Sequence, residues 1–165
     1  MPIETGTKIP DATLYESTEF GEACPISPSR VSVAEATKGK RIVIFGLPGA
    51  YTPTCSAKHV PGYLAALDGL REKGVDEVWC VSVNDGYVMA AWGREQKALG
   101  KIRFLGDGRG ELAKKLGLDR ELDDMGLRMR RFSMLVNDGV VEKLNVEAPG
   151  KFEVSDAATM LSQLG

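Results

Sequence analysis

Two short, uninterrupted apolar runs, each followed by a helical pattern, constrain the fold more than any other feature of this sequence. Arg41-Ile-Val-Ile-Phe-Gly and Val78-Trp-Cys-Val-Ser-Val have the length and composition of strands buried on both faces. Between them, apolar residues from 60 to 70 recur at helical spacing, and Pro61-Gly62 predicts a kink within that helix. A strand, a helix and a second strand in this order predict parallel pairing in an α/β sheet.

The remaining patterns extend this plan to the end of the chain. Residues 1–30 are expected to form an irregular arm or a pair of short strands. The later elements are a helix over Tyr87–Leu99, a strand over Ile102–Leu105, a helix over Glu111–Leu116, a hairpin of Phe132–Val136 with Val140–Val146, and a last helix capped by Ser155. We therefore predict an α/β thioredoxin-like sandwich, with a central mixed sheet flanked by helices and an N-terminal extension. Residues 1–165 are expected to form a single domain.

Composition excludes several classes of function. Hydrophobic residues make up 43% and charged residues 27% of the chain, and the net charge of −2 gives no reason to expect binding to nucleic acid or a membrane. The N-terminus lacks a signal-peptide pattern, so a cytoplasmic protein is expected, or an organellar one if a targeting segment has been removed. Three cysteines and one histidine, without a CxxC spacing, do not predict a metal site or a disulfide framework.

Cys55 is the most conspicuous candidate for chemistry. Thr52 is a favourable N-cap and Pro53 suits the first helical position, which would make Cys55 about the third residue of a helix. Unpaired backbone N–H groups and the positive end of the helix dipole favour a thiolate there. Pro48 and Gly49 precede it in a turn that lets the backbone approach a small ligand. The alternative is a cysteine that serves as a small buried apolar residue.

A thiolate needs support from a cation or a base. Arg128, Arg130 and Arg131 lie far along the chain, and Arg131 precedes a hairpin strand from which its guanidinium could reach the site. Alternatively, all three form a solvated basic cluster. His59 follows Cys55 by about one turn and is either a base for the thiol or a hydrogen-bonded residue that shapes the pocket.

Several motifs then resemble one family. "PGAYTPTCS" is similar to the P-x-x-x-[TS]-x-x-C signature of the peroxiredoxins, and "HVPGY", "VSVND", "RRFSMLVNDG" and "LNVE" resemble its type II, or peroxiredoxin-5-like, branch. The resemblance runs from about Lys40 to the C-terminus. It implies a thioredoxin fold and a thiol-dependent peroxidase that acts on hydrogen peroxide and organic hydroperoxides, with no cofactor and no metal.

The resemblance also assigns roles to residues. Pro48, Thr52, Cys55 and Arg131 match the family's active site, with Cys55 as the cysteine that peroxide oxidises to a sulfenic acid. The N–H groups of Gly49 and Cys55 would donate hydrogen bonds to peroxide oxygens. Gly49 and His59 are accordingly predicted to contribute to substrate binding.

Recycling of the oxidised cysteine has several possible routes. The last helix lacks the resolving cysteine of some relatives, whereas Cys80 is expected to be buried and Cys24 to lie in a loop, so we expect no resolving cysteine. Glutathione with glutaredoxin is then the predicted reductant, and thioredoxin is the alternative. A redox sensor or a thiol–disulfide exchange protein could use the same cysteine. The resemblance also suggests a homodimer, with Trp92 and Tyr51 as contacts unless they belong to the core.

Overall fold

The structure, a computed structural model, describes all 165 residues. Its strands are β1 (Thr13–Glu16), β2 (Glu19–Phe20), β3 (Pro25–Ile26), β4 (Ser29–Ser32), β5 (Arg41–Gly46), β6 (Glu77–Ser82), β7 (Arg103–Gly106), β8 (Asp119–Leu122), β9 (Gly126–Met129), β10 (Phe132–Asn137) and β11 (Val140–Val146). Its helices are α1 (Val33–Thr37), α2 (Val60–Ala65), α3 (Leu67–Glu72), α4 (Gly86–Glu95), α5 (Glu111–Leu116) and α6 (Ala157–Gln163), and a π-helical turn, Cys55–His59, precedes α2.

A seven-stranded mixed sheet organises the fold, in the order β11-β10-β5-β6-β7-β1-β4. β5, β6 and β7 are parallel, as the two apolar runs predict, and β10 and β11 form the expected antiparallel hairpin. β10 also pairs with β5, with Phe132 opposite Gly46. That register places Arg131, the residue before β10, beside the end of β5, where the chain turns towards Cys55.

Both faces of the sheet are buried. Val43 and Phe45 of β5 belong to one hydrophobic cluster with residues of α2, α3, α4 and α6, whereas Ile42 and Ile44 belong to another on the opposite face. Successive side chains of a strand point to opposite faces, so a strand covered on both sides must be apolar throughout. This accounts for the uninterrupted runs in β5 and β6.

The N-terminal stretch is more integrated than an arm. β1 pairs with both β4 and β7 and so extends the main sheet, and only β2 and β3 form a separate hairpin. A second small hairpin, β8 with β9, was not predicted. The predicted helix after β6 ends at Glu95 rather than residue 99, because Lys97 adopts a positive φ of 58°.

One further local prediction needs correction. Ser155 does not cap the last helix; the Asp156 side chain accepts the N–H of Thr159 instead, and Ser155 is buried. Pro61 is accommodated by the π turn, in which the Val60 N–H bonds to the Cys55 carbonyl five residues earlier. No helix here has the length together with the apolar surface that crossing a bilayer demands.

Candidate active site

The segment between β5 and α2 presents Cys55 at the start of a helix. Helical structure begins at Pro53, so Cys55 is its third residue, as predicted. Ser56 is the first residue here whose N–H has a backbone acceptor, the Thr52 carbonyl at 3.0 Å. The amide of Cys55 therefore precedes the hydrogen-bonded part of the helix. Tyr51, just before it, has a positive φ of 65°, a strained conformation for a non-glycine residue.

Arg131 contacts Cys55 in the fold, although the two residues are far apart in the sequence. Its Nη2 donates a hydrogen bond to the Cys55 Sγ at 3.1 Å, across 76 residues of chain. The register of β10 against β5 makes this possible, because Arg131 directly precedes Phe132 and so emerges beside the active-site loop. The Cys55 side chain has no exposed surface, and Arg131 is the cation that contacts its sulfur.

His59 completes a chain of three side chains. Its Nδ1 lies 2.9 Å from the Arg131 Nη1, and its Nε2 lies 3.1 Å from the Ser155 carbonyl. Burial, followed by the repulsion of the Arg131 guanidinium, lowers the pKa of His59 from 6.5 to about 3. The ring is therefore neutral, with Nδ1 accepting from Arg131 and the Nε2 proton donated to Ser155. A ring committed in this way orients Arg131 and is not available as a base for the thiol.

Thr52, Pro48 and Gly49 form the loop before the helix. The Thr52 hydroxyl donates to the Gly49 carbonyl at 2.8 Å instead of accepting from the first helical turn, so its side chain is not the predicted N-cap. The Gly49 amide makes no hydrogen bond within the protein. This leaves the two predicted donors to peroxide, the N–H groups of Gly49 and Cys55, free of backbone partners.

Two residues that sequence reasoning did not assign hold this loop in place. Arg128 donates through Nη1 to the Pro48 carbonyl at 3.4 Å and the Val83 carbonyl at 3.2 Å, and through Nε to the Met125 carbonyl at 3.1 Å. The Asn84 Oδ1 accepts from the Ala50 amide at 3.0 Å. Asn84 lies within the quoted motif "VSVND", and Arg128 was one of the candidate cations, but neither signal tells which backbone group the side chain reaches.

Gly49 leaves room for this arrangement. A Cβ at that position would lie 3.0 Å from the Arg128 Nη1 and 3.3 Å from the Met125 Cε. A larger residue would therefore push the loop away from the guanidinium that ties it to the β8–β9 hairpin.

A cavity of about 120 Å³ opens beside Arg131. Pro48, Thr54 and Phe152 form part of its wall, together with charged residues of β8, of the segment before β10 and of the loop after β11. Pro48 is therefore a residue of the active-site loop that also lines this opening. A small molecule in this cavity would lie against Arg131, the residue that contacts Cys55.

The other cysteines lie in different environments. All three are free, with Cys80 buried in β6 and Cys24 exposed in the loop between β2 and β3. Burial, with a smaller contribution from nearby Cys55, raises the pKa of Cys80 well above its usual value and keeps it a thiol. No group of three or more histidine, cysteine, aspartate or glutamate side chains is arranged to hold a metal ion.

Trp92 and Tyr51 differ in exposure. Trp92 has no exposed surface, donates from Nε1 to the Ser56 hydroxyl at 3.0 Å and packs edge-on against Phe104. Of the two alternatives given for Trp92, a contact with a partner subunit or a place in the core, the structure supports the core. Tyr51 is 50% exposed.

Comparison with known proteins identifies the family. A family model described as Redoxin matches residues 4–161. Peroxiredoxin-2B of Arabidopsis thaliana is 44% identical over 165 residues, which cover 99% of each protein. This chain belongs to the type II peroxiredoxins. Other relatives of this peroxiredoxin carry names that assign them to chloroplasts or mitochondria.

Solved structures agree with this peroxiredoxin in fold. Reduced Prx3 from Vibrio vulnificus in complex with H₂O₂ has a TM-score of 0.91 and 44% identity, covering 99% of both chains. Peroxiredoxin 5 from Alvinella pompejana has a TM-score of 0.84 and 30% identity, covering 99% of this chain and 98% of its own. The predicted thioredoxin-like fold is thereby confirmed.

Proposed function

We propose that this peroxiredoxin is a thiol-dependent peroxidase for hydrogen peroxide and organic hydroperoxides, with Cys55 as the residue that is oxidised. The observation that carries the proposal is the 3.1 Å hydrogen bond from the Arg131 guanidinium to the Cys55 sulfur. A cation held against a buried sulfur stabilises its thiolate, which is the nucleophilic form.

The reaction is a displacement at oxygen. The Cys55 thiolate attacks one peroxide oxygen, an S–O bond forms and the O–O bond breaks. The departing oxygen takes up a proton and leaves as water or an alcohol, and the sulfur becomes a sulfenic acid. Charge develops on the departing oxygen, where Arg131 and the free N–H groups of Gly49 and Cys55 donate hydrogen bonds. Thr52 and Pro48 fix the loop, and His59 orients Arg131.

The first test removes the sulfur and its cation in turn. Cys55→Ser abolishes peroxide consumption, and Arg131→Gln lowers the rate of Cys55 oxidation by about a hundredfold, a typical loss for one charge-stabilising donor. Arg109→Gln, at an exposed arginine without a hydrogen-bond partner, is the control. Stopped-flow measurement of peroxide consumption gives the rates. Peroxide turnover by Cys55→Ser would refute the assignment.

The oxidised cysteine is proposed to be reset by glutathione, after which glutaredoxin removes the mixed disulfide. Two observations support a one-cysteine mechanism. Cys80 is buried within β6 and held as a thiol, and the last helix carries no cysteine. Cys24 is exposed, so it is the alternative resolving residue, and thioredoxin is the alternative reductant.

Cysteine variants test this route. Cys24→Ser and Cys80→Ser are expected to retain full turnover with glutathione and glutaredoxin, since neither sulfur takes part. Turnover is followed through NADPH oxidation, with thioredoxin and its reductase supplied in a parallel assay. Loss of activity in either variant, or turnover with thioredoxin alone, contradicts the proposed route. Oxidation of Cys55 without sustained turnover by any reductant would favour a redox sensor.

Two broader proposals concern assembly and location. A homodimer is proposed from the exposed Tyr51 beside the active-site loop and the exposed Tyr87 at the start of α4, both apolar surfaces suited to an interface. A cytoplasmic location is proposed, with an organelle as the alternative because some relatives carry chloroplastic or mitochondrial names, and cell fractionation tests it.

A further inference from the structure

The cavity beside Arg131 collects positive charge. Arg120, Arg130, Arg131 and Lys151 line it, against the single carboxylate of Glu147. The whole chain has a net charge of −2, so this concentration is local and does not reflect a basic protein. When Cys55 is a thiolate it balances Arg131, which leaves three cations in the cavity lining against the one carboxylate of Glu147.

Apart from a 4.0 Å contact between Lys151 and Glu153, no carboxylate forms an ion pair with the cations that line the cavity. Glu147 directs its carboxylate to the backbone N–H groups of residues 153–155 and to the Ser155 hydroxyl. Burial opposes its ionisation, but these hydrogen bonds outweigh burial and lower the pKa of Glu147. Arg120 and Arg130 have no carboxylate within 4.0 Å, and Lys151 is 4.0 Å from an exposed Glu153 carboxylate.

The β8–β9 hairpin provides a second, independent observation about the positive charge at this cavity. Arg120 and Arg128 are directly opposite each other in its register. Like charges at such positions destabilise a strand pair, so the arrangement has no rationale in stability. Arg128 is occupied by three carbonyl groups, whereas Arg120 has no hydrogen-bond partner and lines the cavity.

We propose that Arg120, Arg130 and Lys151 form a carboxylate-binding subsite for the small molecules that react at Cys55, an inference that rests on the peroxidase function proposed above. Guanidinium groups bind carboxylates through paired hydrogen bonds, and a lysine adds a flexible point charge. Thr54 and Arg131 also line the cavity, so a molecule anchored there lies beside the guanidinium that contacts the Cys55 sulfur. The volume of about 120 Å³ admits one charged end of a ligand, with the remainder outside.

Two molecules supply this chemistry. Glutathione would be held by a carboxylate while its thiolate attacks the Cys55 sulfenic acid. An S–S bond then forms, the S–O bond breaks, and the hydroxide takes up a proton and leaves as water, so that the sulfenic acid is reduced as the thiol is oxidised. A hydroperoxide that carries a carboxylate would be held similarly during oxidation. Cys55 has no exposed surface, so its sulfur must turn outward in the reductive step.

The experiment compares each ligand with its ester. The reductive arm measures reduction of the Cys55 sulfenic acid by glutathione and by glutathione diethyl ester, in which both carboxylates are blocked. The oxidative arm measures oxidation of Cys55 by linoleic acid hydroperoxide and by its methyl ester. Both arms use the wild type, the double variant Arg120→Gln/Lys151→Gln, and a matched control, Arg109→Gln/Lys114→Gln, which removes two exposed charges that do not line the cavity.

The expected result is a preference of about fivefold for the acid over the ester in the wild type and the control. This preference disappears in the double variant and weakens at 1 M salt, where surface charges are screened. A preference in the reductive arm identifies glutathione as the source of the carboxylate, and one in the oxidative arm identifies the hydroperoxide.

Failure of the subsite is distinguishable from failure of the function. Oxidation of wild-type Cys55 by hydrogen peroxide and its reduction by dithiothreitol, both uncharged, are measured first. If these proceed but neither arm discriminates acid from ester, or the double variant keeps the preference, the subsite is wrong and the peroxidase stands. If hydrogen peroxide does not oxidise Cys55, both proposals are wrong.

Discussion

At the scale of single residues, the active site depends on which protonation states burial permits. His59 lies between a guanidinium and a carbonyl, and it is neutral because protonation would place a second cation against Arg131 in a buried position. A neutral imidazole accepts the hydrogen bond that holds Arg131 in line with Cys55. The His59 ring therefore affects the site chemistry, by holding Arg131 beside Cys55, and the stability of the folded protein, through its own protonation.

The stability effect of His59 follows from its two pKa values. The unfolded chain takes up a proton below about pH 6.5, whereas the folded protein does not until about pH 3, so acid favours unfolding. Between these limits the loss amounts to at most about 5 kcal/mol. The variant His59→Gln, which does not titrate, is expected to lose less stability than the wild type between pH 6.5 and 5.

Urea unfolding at a series of pH values measures this difference. His59 is the only histidine in the chain, so no other side chain of its type titrates in that window. Equal pH dependence in the two proteins would contradict a buried neutral ring.

At the scale of elements, the active site is formed by several loops that are distant in sequence and not by one continuous segment of the chain. Arg128 of β9 contacts carbonyls in the active-site loop, in the loop after β6 and in the turn of its own hairpin. One planar guanidinium thus connects three loops, and Asn84 adds a second tie to the active-site loop. These contacts fix the loop whose amides are proposed to donate hydrogen bonds to the peroxide.

Arg128→Lys tests this connection. A lysine keeps the charge but cannot satisfy the same carbonyls in a fixed geometry, so we expect oxidation of Cys55 by hydrogen peroxide to slow about tenfold. Alkylation of Cys55 by iodoacetamide, which needs only the thiolate, should change little. A parallel loss in both reactions would indicate general disruption, and Arg109→Lys serves as the matched control.

At the scale of the whole molecule, charge and exposed apolar surface are unevenly distributed. The chain has a net charge of −2, yet the mouth of the site is cationic. Tyr51 and Tyr87 are among the few large apolar residues that remain exposed. The two proposals therefore concern different surfaces. Small anionic reactants would bind at the cationic cavity, and a second copy of the chain would bind at the exposed tyrosines.

The proposed homodimer makes a direct prediction for Tyr51. Sedimentation equilibrium of the wild type should give twice the mass of the 17.8 kDa chain. Tyr51→Glu should shift the population towards monomer, because an unpaired charge at an apolar interface costs desolvation energy. A monomeric wild type at micromolar concentration would exclude the dimer.

The sequence by itself determined the features that depend on neighbouring residues. Strands β5 and β6, the α5 helix, the β10–β11 hairpin and the helical position of Cys55 follow from apolar runs, from Pro53 at the first helical position and from turn residues within a few positions. The incorporation of β1 and β4 into the sheet did not follow, because short irregular strands owe their pairing to partners far along the chain. The assignment of Ser155 as a cap failed because Asp156, its neighbour, is equally suited to that position.

Only the tertiary structure decided the chemistry around the sulfur. The sequence offered Arg128, Arg130 and Arg131 as candidate cations and singled out Arg131 by its place before a hairpin strand and by the family resemblance, but it gave no role to the other two. In the fold, Arg131 contacts Cys55, Arg128 ties three loops together and Arg130 lines the cavity. Which role each takes depends on the register of β10 against β5 and of β8 against β9. Since a shift of one residue turns a side chain to the opposite face, local preferences cannot specify it and the packing of the whole sheet must.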